Sequence, residues 1–225
     1  MNKIVIFGTG SFGQLAHFYF TRDSQYEVVA FTVSGRQLNH KEFMGLPVLA
    51  FEEIERYFPP QAFKMFIAVG YKKVNKVRAA VYTEAKQKGY ELVTYVSSKC
   101  TFFGEIIGDN CFIFEDNTIQ PFVRVGNNVV LWSGNHIGHH STIKDHVMIT
   151  SHVVISGCCT VEEFCFFGVN ATVRDETTIA HDTLVGMGVT ILKDTQAYEV
   201  YKAKGTEAAG FRSDEIRSLS HKSKG

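Results

Sequence analysis

From Ile107 to Thr195 the chain reads, in sixes, IGDNCF IFEDNT IQPFVR VGNNVV LWSGNH IGHHST IKDHVM ITSHVV ISGCCT VEEFCF FGVNAT VRDETT IAHDTL VGMGVT ILKDT. The first residue of each hexad is apolar without a slip: Ile107, Ile113, Ile119, Val125, Leu131, Ile137, Ile143, Ile149, Ile155, Val161, Phe167, Val173, Ile179, Val185 and Ile191. The chain is 45% apolar, so chance agreement over the whole series is roughly 0.45 to the fifteenth power. The fifth position of the hexad is almost always small or β-branched, from Cys111 and Asn117 to Val189 and Thr195. No helical period fits two inward positions in every six. The pattern predicts short strands that turn a corner every six residues and stack on the coils above and below, a hexapeptide parallel β-helix.

Three hexads make one triangular coil, so residues three hexads apart should stack. Asn117 and Asn135 then form an inward ladder, and Asn135 reads as structural. Cys111, Cys159 and Cys165 fall on inward positions and read as small buried thiols. Gly168 and Gly186 stack, as do Asn170 and Gly188. Those columns lose bulk in the last two coils. Either they leave a bare strip of backbone for a slender ligand such as a pantetheine arm, or the glycines only ease tight corners.

The composition narrows the class. The 225 residues suit one large domain or two small ones, with 23 basic and 23 acidic side chains. That balance gives no reason to expect nucleic acid or membrane lipid as a partner. Five cysteines, an odd number, and no leader-like N-terminus suggest a cytoplasmic protein with no membrane insertion.

Residues 1–97 carry no hexads. A buried strand, Lys3–Phe7, runs into Gly8-Thr9-Gly10-Ser11-Phe12-Gly13, and an amphipathic helix, Phe12–Arg22, leads to a second strand, Tyr26–Val33. A glycine turn at a helix N-terminus receives phosphate through free amides and the helix dipole. A nicotinamide dinucleotide wants an acid at the end of the second strand, where this chain has Val33-Ser34-Gly35. A sugar nucleotide fits better, and a turn with no ligand is the bland alternative. The next strand, Lys64–Val69, ends at Gly70-Tyr71, a second wall for the same crevice. A basic helix, Lys73–Lys88, follows. The expected organisation is a small Rossmann-like α/β domain (1–97), the β-helix (98–196), and an irregular C-terminal cap and tail (197–225). In the cap, Ser213–Leu219 reads as a short helix and the final HKSKG as disordered.

His136, His139, His140, His146 and His152 fall within one coil's length. His139 is third in its hexad and so points outward near a corner. Two chemistries compete. A histidine near its reference pKa of about 6.5 can take the proton of an attacking amine. Alternatively, several neutral imidazoles can hold zinc, as in carbonic-anhydrase-like hexapeptide proteins. The first suits the phosphate-type crevice and the glycine columns, which have no role in carbonate chemistry.

The arrangement resembles the bacterial sugar-nucleotide N-acetyltransferases of the PglD-like group, with which sialic acid O-acetyltransferases share their architecture. The resemblance rests on IVIFGTGSFG, FIAVGYKKVNKVR, LWSGNHIGHHSTI, FFGVNAT and LVGMGVTILKD. It implies a left-handed β-helix, a homotrimer with active sites between neighbouring helices, and a role in lipopolysaccharide or other surface-glycan synthesis. It further implies His139 as the catalytic base. Acetyl-CoA would lie along Gly168, Asn170, Gly186 and Gly188, with Lys193 or the basic cap that carries Lys202 and Lys204 near its phosphates. A nucleotide-linked 3- or 4-amino sugar would sit on Gly8, Gly10, Ser11, Gly13, Gly70 and Tyr71, and no metal would be required. Three positions depart from the group's pattern: His140 replaces the acid after the catalytic histidine, Val33 and Ser34 replace aspartates, and Lys204-Gly205-Thr206-Glu207-Ala208 replaces a G-x-P-A. A sugar O-acetyltransferase, a zinc hydratase and a catalytically dead scaffold are the competing functions.

Overall fold

A computed structural model of the chain describes residues 2–215. The N-terminal layer is a five-stranded sheet: β1 (Asn2–Phe7), β2 (Tyr26–Val33), β3 (Glu42–Phe43), β4 (Leu46–Ala50) and β5 (Lys64–Ile67). Their order is β3-β4-β2-β1-β5. All pairings are parallel except the short β3–β4 hairpin. Three helices accompany it, α1 (Ser11–Arg22), α2 (Ile54–Tyr57) and α3 (Lys76–Gln87). The sequence reading found β1, β2, β5, α1 and α3. It does not reach β3, β4 or α2, because β3 is a very short strand, Pro47 interrupts the apolar run of β4 and α2 is a single helical turn.

The hexads form a left-handed parallel β-helix of three sheets with six, five and seven strands. From Thr118 onward each strand pairs with the strand three hexads further on, as in Thr118↔His136↔Val154↔Thr172↔Thr190. Every fifth-position residue from Cys111 to Thr195 is buried, and so is every first-position residue from Ile113 to Ile191. Asn117 and Asn135 build the expected ladder. Oδ1 of Asn117 accepts the Asn135 amide at 3.3 Å, and Oδ1 of Asn135 accepts the Val153 amide at 2.8 Å.

Two details correct the sequence reading. Ile107 is 51% exposed, and Ile106 takes the inward place in the first coil. The first strands pair out of step with the hexads, Thr101↔Thr118 falling just short of a full coil and Glu105↔Arg124 just beyond one, so the strict period begins only after them. At the other end the stack does not stop at Thr195. Val200–Tyr201 adds one more strand, pairing with Leu184–Val185. A single turn of 3-10 helix covers Ser213–Glu215; the rest of the expected C-terminal helix and the HKSKG tail lie outside the described residues.

Each hexad also contains one residue in the left-handed region, every sixth position from Asn110 to Gly188. Only Gly134 and Gly188 are glycine in that series; His140, His146 and His152 occupy three of its places. Asn, Asp and His tolerate this conformation better than most residues. Corner geometry therefore explains much of the histidine cluster.

The two domains share a continuous interface on one side of the prism. The outward residues Phe112, Val130 and Met148 of the seven-stranded sheet are buried in one cluster with Ile4, Ala16, Phe20, Phe31 and Phe66. The β5 edge is capped by Asn110, which accepts from the Ile67 amide at 2.8 Å and so satisfies an edge group. From α3, Arg78 is fully buried and reaches the carbonyls of Asn128 and His146.

Candidate active site

At the C-terminal ends of β1 and β5 lies a cleft of about 980 Å³, lined by Gly8, Thr9, Gly10, Ser11, Phe12, Ser34, Gln37, Gly70, Tyr71 and Lys72 among others. Local sterics dictate its glycines. Gly8 has φ of +117°, and a Cβ there would lie 2.5 Å from the Ala68 carbonyl oxygen. A Cβ on Gly13 would overlap the Gly8 carbonyl, so Gly13 lets α1 sit close against the turn. Gly10 is different: nothing stands within 4 Å of a Cβ there. It is the N-cap of α1 and offers no side-chain cap. The first-turn amides therefore face the cleft with no partner of their own, an arrangement suited to phosphate.

An acid does reach the end of β2, but from elsewhere in the chain. Glu52, just after β4, accepts from the Gly35 amide at 2.9 Å and from the Ser34 hydroxyl at 3.2 Å. Hydrogen bonding from its own backbone amide first, then from Gly35 and Ser34, holds its carboxyl below the usual range, and the latter two bonds tie down the loop. Sequence spacing could not show Glu52 there. A further cavity of about 350 Å³ opens beside the cleft, lined by Val33, Gln37, Asn39, His40 and Phe43. The cleft reaches the β-helix through Tyr71, whose ring lies 5.0 Å from that of Phe166. Beyond Tyr71, Lys73, Val74 and Asn75 all have positive φ, costly for a β-branched residue such as Val74. Asn75 locks this turn by donating to the Cys165 carbonyl at 3.0 Å.

His139 is exposed at the corner between the six- and five-stranded sheets, between His136–Ile137 and Thr142–Ile143. Its amide donates to Oε1 of Gln120 at 2.9 Å, and its Nδ1 lies 3.1 Å from Nδ1 of His140. A Cβ on Gly157 would come within 2.8 Å of the His139 ring, so the ring rests where a side chain would otherwise be. His140 is backed by the ring of Phe122 at 4.6 Å. The other histidines do not join this pair. His146 stacks on Phe164 at a second corner, and burial lowers its pKa to about 4. His152 covers Gly134 at the third corner, and His136 sits on a strand face.

The predicted site residues thus lie on three separate lines of one chain. Gly8, Gly10, Ser11, Gly70 and Tyr71 gather in the cleft, over the seven-stranded sheet. Gly13 does not line it; it is buried behind the turn, where α1 packs against the Gly8 carbonyl. His139 lies at the corner opposite that sheet. Asn170 and Gly188 lie at the corner between the seven- and six-stranded sheets, with Gly168 and Gly186 just before it. A Cβ on Gly168 would overlap the Met187 amide of the next coil, so close stacking requires glycine there. Gly188 has φ of +65° and open space around it. Lys193 is exposed.

Residues 3–85 match the PglD N-terminal domain family, and residues 106–139 match the bacterial transferase hexapeptide family. The fold is shared with the acetyltransferase domain of PglB from Neisseria gonorrhoeae, with a TM-score of 0.78 and 20% identity over 89% of this chain and 96% of that one. It is shared too with PerB from Caulobacter crescentus, solved with CoA and GDP-perosamine, with a TM-score of 0.75 and 20% identity over 90% and 92% of the two chains. WeeI from Acinetobacter baumannii aligns with a TM-score of 0.64 at 20% identity, over 89% of this chain and 96% of WeeI. Among curated sequences, an acyl-[acyl-carrier-protein]–UDP-N-acetylglucosamine O-acyltransferase of Pseudomonas aeruginosa is 26% identical over 51% of this chain and 51% of its own. The chain therefore spans about half the length of the curated relatives it matches. No helix among the described residues is long and apolar enough to cross a membrane.

Proposed function

With a PglD-type N-terminal domain followed by transferase hexapeptide repeats as the premise, we propose that this protein is an acetyl-CoA-dependent N-acetyltransferase. Its acceptor is the amino group of a nucleotide-linked amino-deoxy sugar. The observation that carries the reading is the pairing of an uncapped helix N-terminus at Gly10, in a cleft of nucleotide size, with an exposed histidine whose Nδ1 is already engaged. When His139 donates from Nδ1 to Nδ1 of His140, the lone pair of its Nε2 is free.

In the proposed reaction the sugar amine attacks the thioester carbon and His139 Nε2 takes the proton from nitrogen. The carbon–sulfur bond breaks, and the protonated imidazole returns that proton to the departing CoA thiolate. The products are the acetamido sugar and free CoA. Neither a thiol nor a hydroxyl of the protein is acylated. His140 stands where the family has an acid, so His139 is oriented by a second imidazole instead of a carboxylate. In this reading Gly8, Gly10, Ser11, Gly70 and Tyr71 hold the nucleotide sugar, and Gly13 serves them by seating α1 against the turn. Gly168, Asn170, Gly186, Gly188 and Lys193 line the path of CoA.

A homotrimer belongs to the same proposal. The cleft, His139 and the glycine columns occupy different sides of one prism, so a working site needs the cleft of one chain beside the His139 corner of another. Phe122 at that corner is 69% exposed and Phe103 67% exposed, apolar surface that a neighbouring chain would cover. Five unpaired cysteines suit a reducing compartment such as the cytoplasm.

The test is thiol release from acetyl-CoA in the presence of GDP-, UDP- and dTDP-linked amino sugars, GDP-perosamine among them, with sialic acid as the hydroxyl control. Release with an amino sugar is expected, and His139→Asn should cut it by roughly 10²-fold or more while leaving the oligomer intact. Turnover with the hydroxyl control alone would replace the reading by O-acetylation.

A further inference from the structure

The corner that carries His139 also carries a thiol. Cys158 lies one full coil after His140, directly above it in the stack, and both are left-handed corner residues. The Cys158 amide donates to the His139 carbonyl at 2.8 Å, which fixes the two corners in register. The Cys158 sulfur stands 4.0 Å from Nδ1 of His139, and that nitrogen stands 3.1 Å from Nδ1 of His140. The donor atoms of the three side chains all lie within 4.8 Å of one another. Cys158 is the only exposed cysteine of the five.

We propose that His139, His140 and Cys158 form a binding site for a soft divalent transition metal of the zinc type, and that occupancy silences His139. Tetrahedral zinc, with bonds of about 2.0–2.1 Å to nitrogen and about 2.3 Å to sulfur, places two nitrogens about 3.3 Å apart and a nitrogen about 3.6 Å from a sulfur. The first two separations are already close to those values. Exposed side chains can close the third. Imidazole and thiolate are the ligands such ions prefer over hard oxygen ligands. Three protein ligands leave a fourth position for water.

Binding exchanges protons in a defined way. The Cys158 thiol gives its proton to solvent as sulfur bonds the metal. His139 must present a bare Nδ1 to the metal, so the one proton of its neutral ring moves to Nε2. That nitrogen can then no longer accept a proton from an amine. The site itself stands on geometry alone; its inhibitory effect rests on the reading of His139 as the base.

The test uses the full-length protein, freed of metal with a chelator, and cobalt(II) as a spectroscopic probe. The expected result is one cobalt per chain with a thiolate-to-cobalt charge-transfer band, displaced by zinc. Cys158→Ser should abolish the band and weaken zinc binding at least about tenfold, taking the loss of an outer-shell partner as the lower bound. The same variant should keep its metal-free turnover and lose its inhibition by zinc. Absence of the band from wild-type protein, or its survival in Cys158→Ser, overturns the site and leaves the acetyltransferase reading untouched. A band that Cys158→Ser removes, with wild-type turnover unaffected by saturating zinc, overturns the inhibitory effect and removes His139 from the role of base.

Discussion

Replacing Arg78 with leucine removes the most deeply buried of the bonds that fasten α3 to the β-helix, the others being those of Asn75, Lys76, Tyr82 and Lys86. The guanidinium is fully buried and donates to the Asn128 carbonyl at 3.2 Å, the His146 carbonyl at 2.9 Å and Oδ1 of Asn75 at 3.0 Å. Asn128 and His146 are left-handed corner residues. Their carbonyls lie outside the strand-to-strand ladder, so no neighbouring amide takes over. Three acceptors therefore lose their donor, at about 1–3 kcal/mol each. Against this stands relief of the desolvation of a guanidinium that has no carboxylate partner, whose pKa burial pushes down to about 9. The net loss expected is about 2–4 kcal/mol. For a chain of this length that is roughly 5–15 °C in melting temperature. Trp132, the only tryptophan, reports on the interface directly, since its ring stacks on Phe114 at 4.8 Å and on Phe12 at 6.0 Å. Its fluorescence should change before circular dichroism of the β-helix does, with both chains compared at equal concentration. Melting within about 2 °C of wild type, with the two signals still coincident, would refute the reasoning.

Two glycines on adjacent coils should separate stability from activity. A Cβ at Gly138 would lie 2.5 Å from the backbone of Gly157, so Gly138→Ala should cost about 1–3 kcal/mol in urea denaturation. A Cβ at Gly157 meets only the movable His139 ring, so Gly157→Ala should keep its denaturation midpoint and lower kcat by about tenfold or more through displacement of the ring. Gly10→Ala has open space and φ of −84°, and should raise KM for the nucleotide sugar at a cost of about 1 kcal/mol or less in stability, the cost of alanine at an N-cap. Burial holds the His146 pKa at about 4, below its ordinary 6.5, and its Nδ1 stands 2.9 Å from the Asn128 side-chain amide. The folded state thus binds fewer protons there than the unfolded chain. Its contribution to stability is full above pH 6.5 and is lost as pH falls toward 4. The fall in melting temperature between pH 7 and pH 5 should be smaller in His146→Asn than in wild type.

The β-helix was readable because its rule is local and repeated. Each inward residue from Ile113 to Ile191 faces the same environment one hexad later. Where the coil departs from the rule, the reading slipped by one position, from Ile106 to Ile107, because both are isoleucine and only the out-of-step pairing of the first strands distinguishes them. The cleft glycines were legible from their spacing. Glu52, Asn110, Asn75 and Arg78 were not, because each acts on backbone far away in sequence and nothing near it in the chain marks its partner. The histidine cluster carried a mixed signal. His140, His146 and His152 share a period of six because corners favour them, and only His139 and His140 meet.

The pairing of each strand with its counterpart one coil away makes height along the prism a digital quantity. One coil more or less moves everything beyond it by a single strand spacing, about 4.8 Å, and returns each residue to the same side. A change of a single hexad turns everything beyond it by a third of a revolution and puts every later residue on a different side. Lineages of this scaffold can therefore lengthen or shorten only in whole coils without scrambling what lies beyond the change. The span between the cleft and any feature farther up is tuned in steps of about 4.8 Å, and a substrate longer by less than one step must be accommodated by side chains alone.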